Sequence, residues 1–145
     1  MVGVDGSEPS KQALRWAIDQ ARGTGATVEA ITTWTYPSGY GISAIADPGE
    51  LTDLMRKVLA DAITEVAGEQ PPVPVDARVL EGHPAQVLLQ AAEGAQLLVL
   101  GSRGHGTFVS ALLGSVSQYC VHHAPCPVVI IRGGEEYQHP RDLPR

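Results

Sequence analysis

The chain has 145 residues, 43% of them hydrophobic, and a mean hydropathy near zero, enough apolar material for one ordinary domain core and too evenly spread for a membrane span. Its formal net charge of −6, with Lys11 and Lys57 the only lysines, opposes binding to nucleic acid, and any anionic ligand would have to be held by backbone N–H groups, hydroxyls or a metal ion. Two cysteines are too few for a disulfide framework, and the opening Met1-Val2-Gly3-Val4-Asp5 lacks the features of a secretory signal, so the expected location is the cytoplasm.

In chain order, residues 1–4 read as a first strand. Ser7-Glu8-Pro9-Ser10 offers a capping hydroxyl and an early proline, and Ala13, Leu14, Ala17, Ile18 and Ala21 follow at helical spacing until Gly23 and Gly25 stop the helix. Residues 27–34 are rich in β-branched side chains and predict a second strand. A loop from Tyr36 to Pro48 exceeds the usual connection length and is a candidate lid. A second helix over 48–67 carries Leu51, Leu54, Met55, Val58, Leu59, Ala62 and Val66 at periods of three and four, with Pro71-Pro72 as its stop.

Alternation over 73–80 predicts a half-covered strand or one near a sheet edge, and Pro84 begins a third helix. Residues 97–100 are continuously apolar, as in a parallel strand covered on both faces. A glycine-rich segment, a helix over about 110–123 and a last strand over 127–132 follow, and the polar tail 133–145 is expected to be unstructured. Strands separated by helices imply an α/β fold, a Rossmann-like parallel sheet with helices on both faces. Ligands of such sheets settle beyond the carboxyl ends of the strands, where the winding reverses.

The segment after the fourth strand places Gly101, Gly104 and Gly114 ahead of Ser115 and Ser117, with spacing Gly-x2-Gly-x9-Gly-Ser. Glycines let successive N–H groups converge on one anion, the hydroxyls add donors, and a helix beginning near Gly114 would favour a phosphate. The bland alternative is a tight strand-to-helix turn. Asp5 ends the first strand at the same sheet edge and is read either as a turn residue or as an acceptor for a ribose hydroxyl or metal-bound water. Thr33 could line a base pocket, and Arg103 and His105 could reach phosphates. The run from Cys120 to Cys126, with His122 and His123, invites a zinc reading but matches no common finger spacing. P-loop, nucleophile-elbow and zinc-helix patterns are absent, which favours a binder over an enzyme.

These residues resemble the universal stress protein family, in its ATP-binding branch, from Val2 through Arg132. The motifs are Val2-Gly3-Val4-Asp5-Gly6-Ser7, Gly82-His83-Pro84 and the glycine segment 101–117, and 114–118 with 122–128 look especially like actinobacterial members. The resemblance implies a domain over 1–132, five parallel strands in the order 3-2-1-4-5 of adenine nucleotide alpha hydrolase-like folds, and ATP lying across the strand ends. It places Val4 and Asp5 by the nucleoside, Thr33 beside adenine, and Leu100, Gly101, Gly104, Gly114, Ser115, Val116 and Ser117 around ribose and phosphates. It further implies a stress-response regulator with at most weak ATP hydrolysis, and a homodimer, to which the uncharged strand 128–131 also points. Mg²⁺ or Mn²⁺ is expected to assist the triphosphate. Open alternatives are a cyclic AMP binder, an interaction module with a vestigial nucleotide site, and a phosphotransfer enzyme using Asp5.

Overall fold

The computed structural model describes residues 1–35, 47–103 and 113–132. The proposed lid from Tyr36 onward, Gly104, His105 and the tail 133–145 therefore lie outside the described residues, apart from the lid's last two positions, Asp47 and Pro48.

The elements run β1 (Val2–Gly3), α1 (Glu8–Thr24), β2 (Val28–Trp34), α2 (Pro48–Ala67), β3 (Val75–Glu81), α3 (Pro84–Ala91), β4 (Leu98–Gly101), α4 (Ser115–His123) and β5 (Val128–Ile131). All four strand pairings are parallel, and the sheet order is β3-β2-β1-β4-β5. That is the expected α/β architecture. β1 is only two residues long by ladder pairing, but Val4 N–H donating to Ile31 O at 2.8 Å and Val99 N–H donating to Met1 O at 2.8 Å extend its contact on both sides.

Period-two alternation along the strands sorts the core into two halves. Val2, Val4, Val28, Ala30 and Val99 face α1 and α2, where they meet Ala13, Leu14, Ala17, Ile18, Leu59 and Ala62. Ile31, Leu98 and Leu100 face the other way, against Leu88 and Ala92 of the α3 region and Cys120 of α4. Helices thus cover both faces, α1 and α2 on one and α3 and α4 on the other.

The helix ends follow local chemistry, with some shifts. Ser7 caps α1 by accepting from Ser10 N–H, and Gly25, at φ 73°, ends it in the left-handed conformation. Gly23 lies inside the helix and does not stop it. Gly68, at φ 78°, terminates α2 before the prolines are reached. α4 begins at Ser115 rather than near 110, because Gly114 is extended at φ −66° and ψ 162° and its N–H is drawn to Ser102 O at 2.6 Å.

Candidate functional site

β1, β2 and β4 end at one edge of the sheet, with α1 and α4 packed on opposite faces. α1 follows β1 on one side, and α4 lies on the other. Between them lies a cavity of about 260 Å³ lined by Gly3, Val4, Asp5, Ser10, Ile31, Thr33, Pro84, Leu88, Leu100, Gly101, Arg103 and the run Gly114 to Ser117. Nine of the ten positions singled out from sequence border it, the tenth being Gly104.

Its floor depends on close approach. A Cβ at Gly101 would lie 2.8–2.9 Å from the backbone and Cβ of Pro9, so the start of α1 can sit against the end of β4 only because residue 101 has no side chain. At Gly3 a Cβ would come within 2.8 Å of Leu100 Cδ2.

The polar groups are individually placed. Asp5 closes a turn in which its Oδ1 accepts from both the backbone N–H and the hydroxyl of Ser7. Its own N–H donates to Ser10 Oγ at 3.3 Å, and Ser10 Oγ donates to Ser7 O at 2.9 Å, which fixes the passage from β1 into α1. Asp5 is therefore a turn residue, and it also lines the cavity. Thr32 Oγ1 donates to Val4 O at 2.8 Å inside the sheet, leaving its neighbour Thr33 to face the cavity.

Gly114 caps α4 without a side-chain bond, so the first-turn N–H groups of Ser115, Val116 and Ser117, which have no intrahelical acceptor, stand at the cavity wall. The two hydroxyls divide the work. Ser115 is exposed, whereas Ser117 is buried and its Oγ donates to Gly101 O at 2.7 Å. Ser115 lines the cavity with no bond from its hydroxyl to the sheet among those described. The Ser117 proton is instead used to brace α4 against β4.

Several lining residues were not singled out from sequence. Gly3, Ile31, Pro84 and Leu88 form an apolar side, and their signal was periodicity: Ile31 lies two residues before Thr33 on the same strand face, and Leu88 one helical turn beyond Pro84. The zinc reading is not supported by the geometry. Cys120 is buried among α3 and α4 side chains while His122 and His123 are exposed, and among the described residues no three His, Cys, Asp or Glu side chains form a metal set. Burial pushes the Cys120 thiol up to about 11. No helix among the described residues is long and apolar enough to cross a membrane.

The universal stress protein family model matches residues 1–132. The chain belongs to that family. A family relative from Mycobacterium tuberculosis is 35% identical over 137 residues, covering 91% of this chain and 44% of the relative, so the chain spans under half the length of that protein. A relative from Thermus aquaticus is 36% identical over 138 residues, covering 91% of this chain and 96% of the relative.

Among solved structures, family member UspA from Lactobacillus plantarum superposes with a TM-score of 0.70 at 23% identity, over 90% of this chain and 94% of that one. A universal stress protein in complex with cAMP gives a TM-score of 0.68 at 26% identity, over 90% of this chain and 93% of that one.

Proposed function

We propose that this chain binds an adenine nucleotide across the ends of β1, β2 and β4, and that the ligand is ATP. The observation that carries this reading is the convergence on one cavity of Val4, Asp5, Thr33, Leu100, Gly101 and Gly114 to Ser117, picked from scattered sequence positions. An apolar side at Gly3, Ile31 and Leu88 suits a purine and the α4 N-terminus suits phosphates, with Asp5 beside the ribose hydroxyls between them. Gly104 belongs to the same phosphate loop in this reading.

The donor set fits a divalent cation carried in with the triphosphate. Asp5 is the one carboxylate lining the cavity among the described residues, and Mg²⁺ or Mn²⁺ bound chiefly by phosphate and water needs no more than one or two. The metal would neutralise phosphate charge, while Ser115 and the α4 amides orient the oxygens. Lining groups that titrate are few, Asp5 and Arg103 among the described residues, and Asp5 is occupied with its turn. Hydrolysis is accordingly weak at most, and the role is that of a nucleotide-dependent stress-response regulator in the cytoplasm.

A second reading, cyclic AMP, is favoured by the related structure that holds it. Native purification with mass spectrometry of the bound nucleotide, followed by titration of ATP and cyclic AMP with and without EDTA, separates the two. ATP binding weakened by EDTA supports the first reading. Tight cyclic AMP binding with none for ATP supports the second, and no binding of either leaves an interaction module.

A further inference from the structure

We propose that Arg103 is the phosphate-selecting residue of the cavity, the group that makes the site prefer a phosphorylated nucleoside to the nucleoside itself. This rests on the nucleotide reading above and assigns to one side chain a task that the glycine segment alone leaves to backbone amides.

Positive charge is scarce in this acidic chain, whose formal net charge is −6. Four basic side chains are committed to ion pairs: Lys11 with Glu65 at 2.7 Å, Arg56 with Asp53 at 3.1 Å, Lys57 with Asp61 at 2.7 Å and Arg78 with Glu29 at 2.5 Å. Arg15 and Arg22 line a separate cleft between α1 and the end of α2. Arg103 is the one cation among the described residues that borders the strand-end cavity. It is half-buried there and has no acid partner among them.

Its position in the chain is as informative as its charge. Arg103 follows β4 by two residues, directly after Ser102, whose carbonyl accepts the Gly114 N–H at 2.6 Å. That bond clips the two ends of the glycine segment together, so the guanidinium starts from a fixed base beside the α4 N-terminus. On the neighbouring strand end stands Asp5, the cavity's carboxylate. The cavity is thus polarised, negative at the end of β1 and positive at the end of β4. A nucleotide placed with its ribose at Asp5 and its phosphates at Arg103 matches that polarity, and the reversed pose sets phosphate against carboxylate. A planar guanidinium also presents paired N–H donors that suit phosphate oxygens.

The test is equilibrium titration of ATP, ADP, AMP and adenosine, in Mg²⁺ buffer, against the wild-type chain, R103Q and R103K. Unfolding curves would confirm that R103Q, which breaks no ion pair among the described residues, remains native. The expected result is a drop in ATP affinity of about 10-fold or more in R103Q, adenosine affinity unchanged, and the ATP-to-adenosine preference compressed accordingly. R103K should retain part of the preference, and the wild-type margin should shrink at high salt. If R103Q binds ATP as tightly as wild type, or loses ATP and adenosine by the same factor, the assignment of Arg103 is wrong while nucleotide binding stands. If the wild-type chain binds none of the four, the nucleotide reading itself falls.

Discussion

Gly101 and Ser117 meet across the gap between β4 and α4, and each makes a prediction about a single atom group. Gly101→Ala introduces a Cβ within 2.9 Å of Pro9 backbone, which cannot swing aside as a side chain would. The expected cost is about 1–3 kcal/mol of overpacking, read as a fall in thermal midpoint of about 2–4 °C per kcal/mol. An unchanged midpoint would mean that α1 slides freely on the sheet. Ser117→Ala removes the buried bond to Gly101 O and should cost about 1 kcal/mol or somewhat more. By contrast, Ser115→Ala, at an exposed position, should leave stability alone and weaken ATP, and a matched loss of stability in both variants would contradict that division.

Cys120 adds a pH signature at the same scale. Its folded-state thiol is raised from 9.0 to about 11 by burial, so the native chain holds a proton that the unfolded chain gives up. That contribution is intact below about pH 9 and lost as pH rises toward 11, so stability should decline across that window. Denaturant titrations from pH 8 to 11 on wild type and Cys120→Ala check the sign, the variant being expected to lack that component of the slope. In the folded chain at pH 8 a thiol reagent should modify the half-buried Cys126 well before Cys120.

Among the elements, the two sheet edges differ in chemistry. β3 presents Asp76, Arg78 and Glu81, with Arg78 paired to Glu29 of β2, a charged border that discourages pairing with another chain. β5 is Val-Val-Ile-Ile without charge. Leu98 N–H donates to Pro127 O and Ser102 N–H to Ile131 O, and strand alternation then turns the N–H groups of Val128 and Ile130 away from β4. We propose that this edge pairs with a second copy of the chain. Because the Ile130 side chain packs against the α3 and α4 cluster, a lysine there would test the core as well as the edge. Ile130→Pro is the sharper probe, since it removes an outward donor and no internal ladder bond. Light scattering should then give a dimer for wild type and a monomer for a variant with native circular dichroism, and a folded dimeric variant would move the interface elsewhere.

Legibility from sequence also differs from element to element, for physical reasons. α2 is legible at its observed limits because Pro48 sets its start and apolar spacing runs to its end. The edge character of β3 showed in its alternation, and β4 in its unbroken apolar run. The cavity wall at Gly101 and at 114–117 is legible because glycines and hydroxyls after a buried strand leave a pattern that packing alone does not require, whereas Val4 and Leu100 enter only through the family resemblance. What stayed hidden depends on partners distant in the chain. Nothing local says that the Ser117 proton goes to residue 101, that Gly101 makes room for Pro9, or that Gly114 is pulled straight by Ser102 and so delays α4.

At the scale of the whole molecule, the proposed ligand would add a further tie between elements already held by the sheet and by the packing of α4 on it. A nucleotide bound at the ends of β1, β2 and β4 and at α4 should stabilise the fold by about 2.7 kcal/mol at a free concentration of 100 times its dissociation constant. A thermal shift measured against ATP concentration checks this, and a midpoint indifferent to ATP would count against a site spanning those elements.

The brevity of β1 has a consequence for motion. This two-residue strand is the middle member of the sheet, and amides on either side of it are bonded in, Val4 N–H to Ile31 O and Val99 N–H to Met1 O. No peripheral opening frees those hydrogens without parting the central strands, so their solvent exchange should follow the rarest, global opening of the chain. Val4, one of these anchoring residues, also lines the cavity, and a ligand that binds only the folded chain should therefore be recorded at the slowest-exchanging amides, where each tenfold excess of nucleotide over its dissociation constant lengthens their lifetime about tenfold.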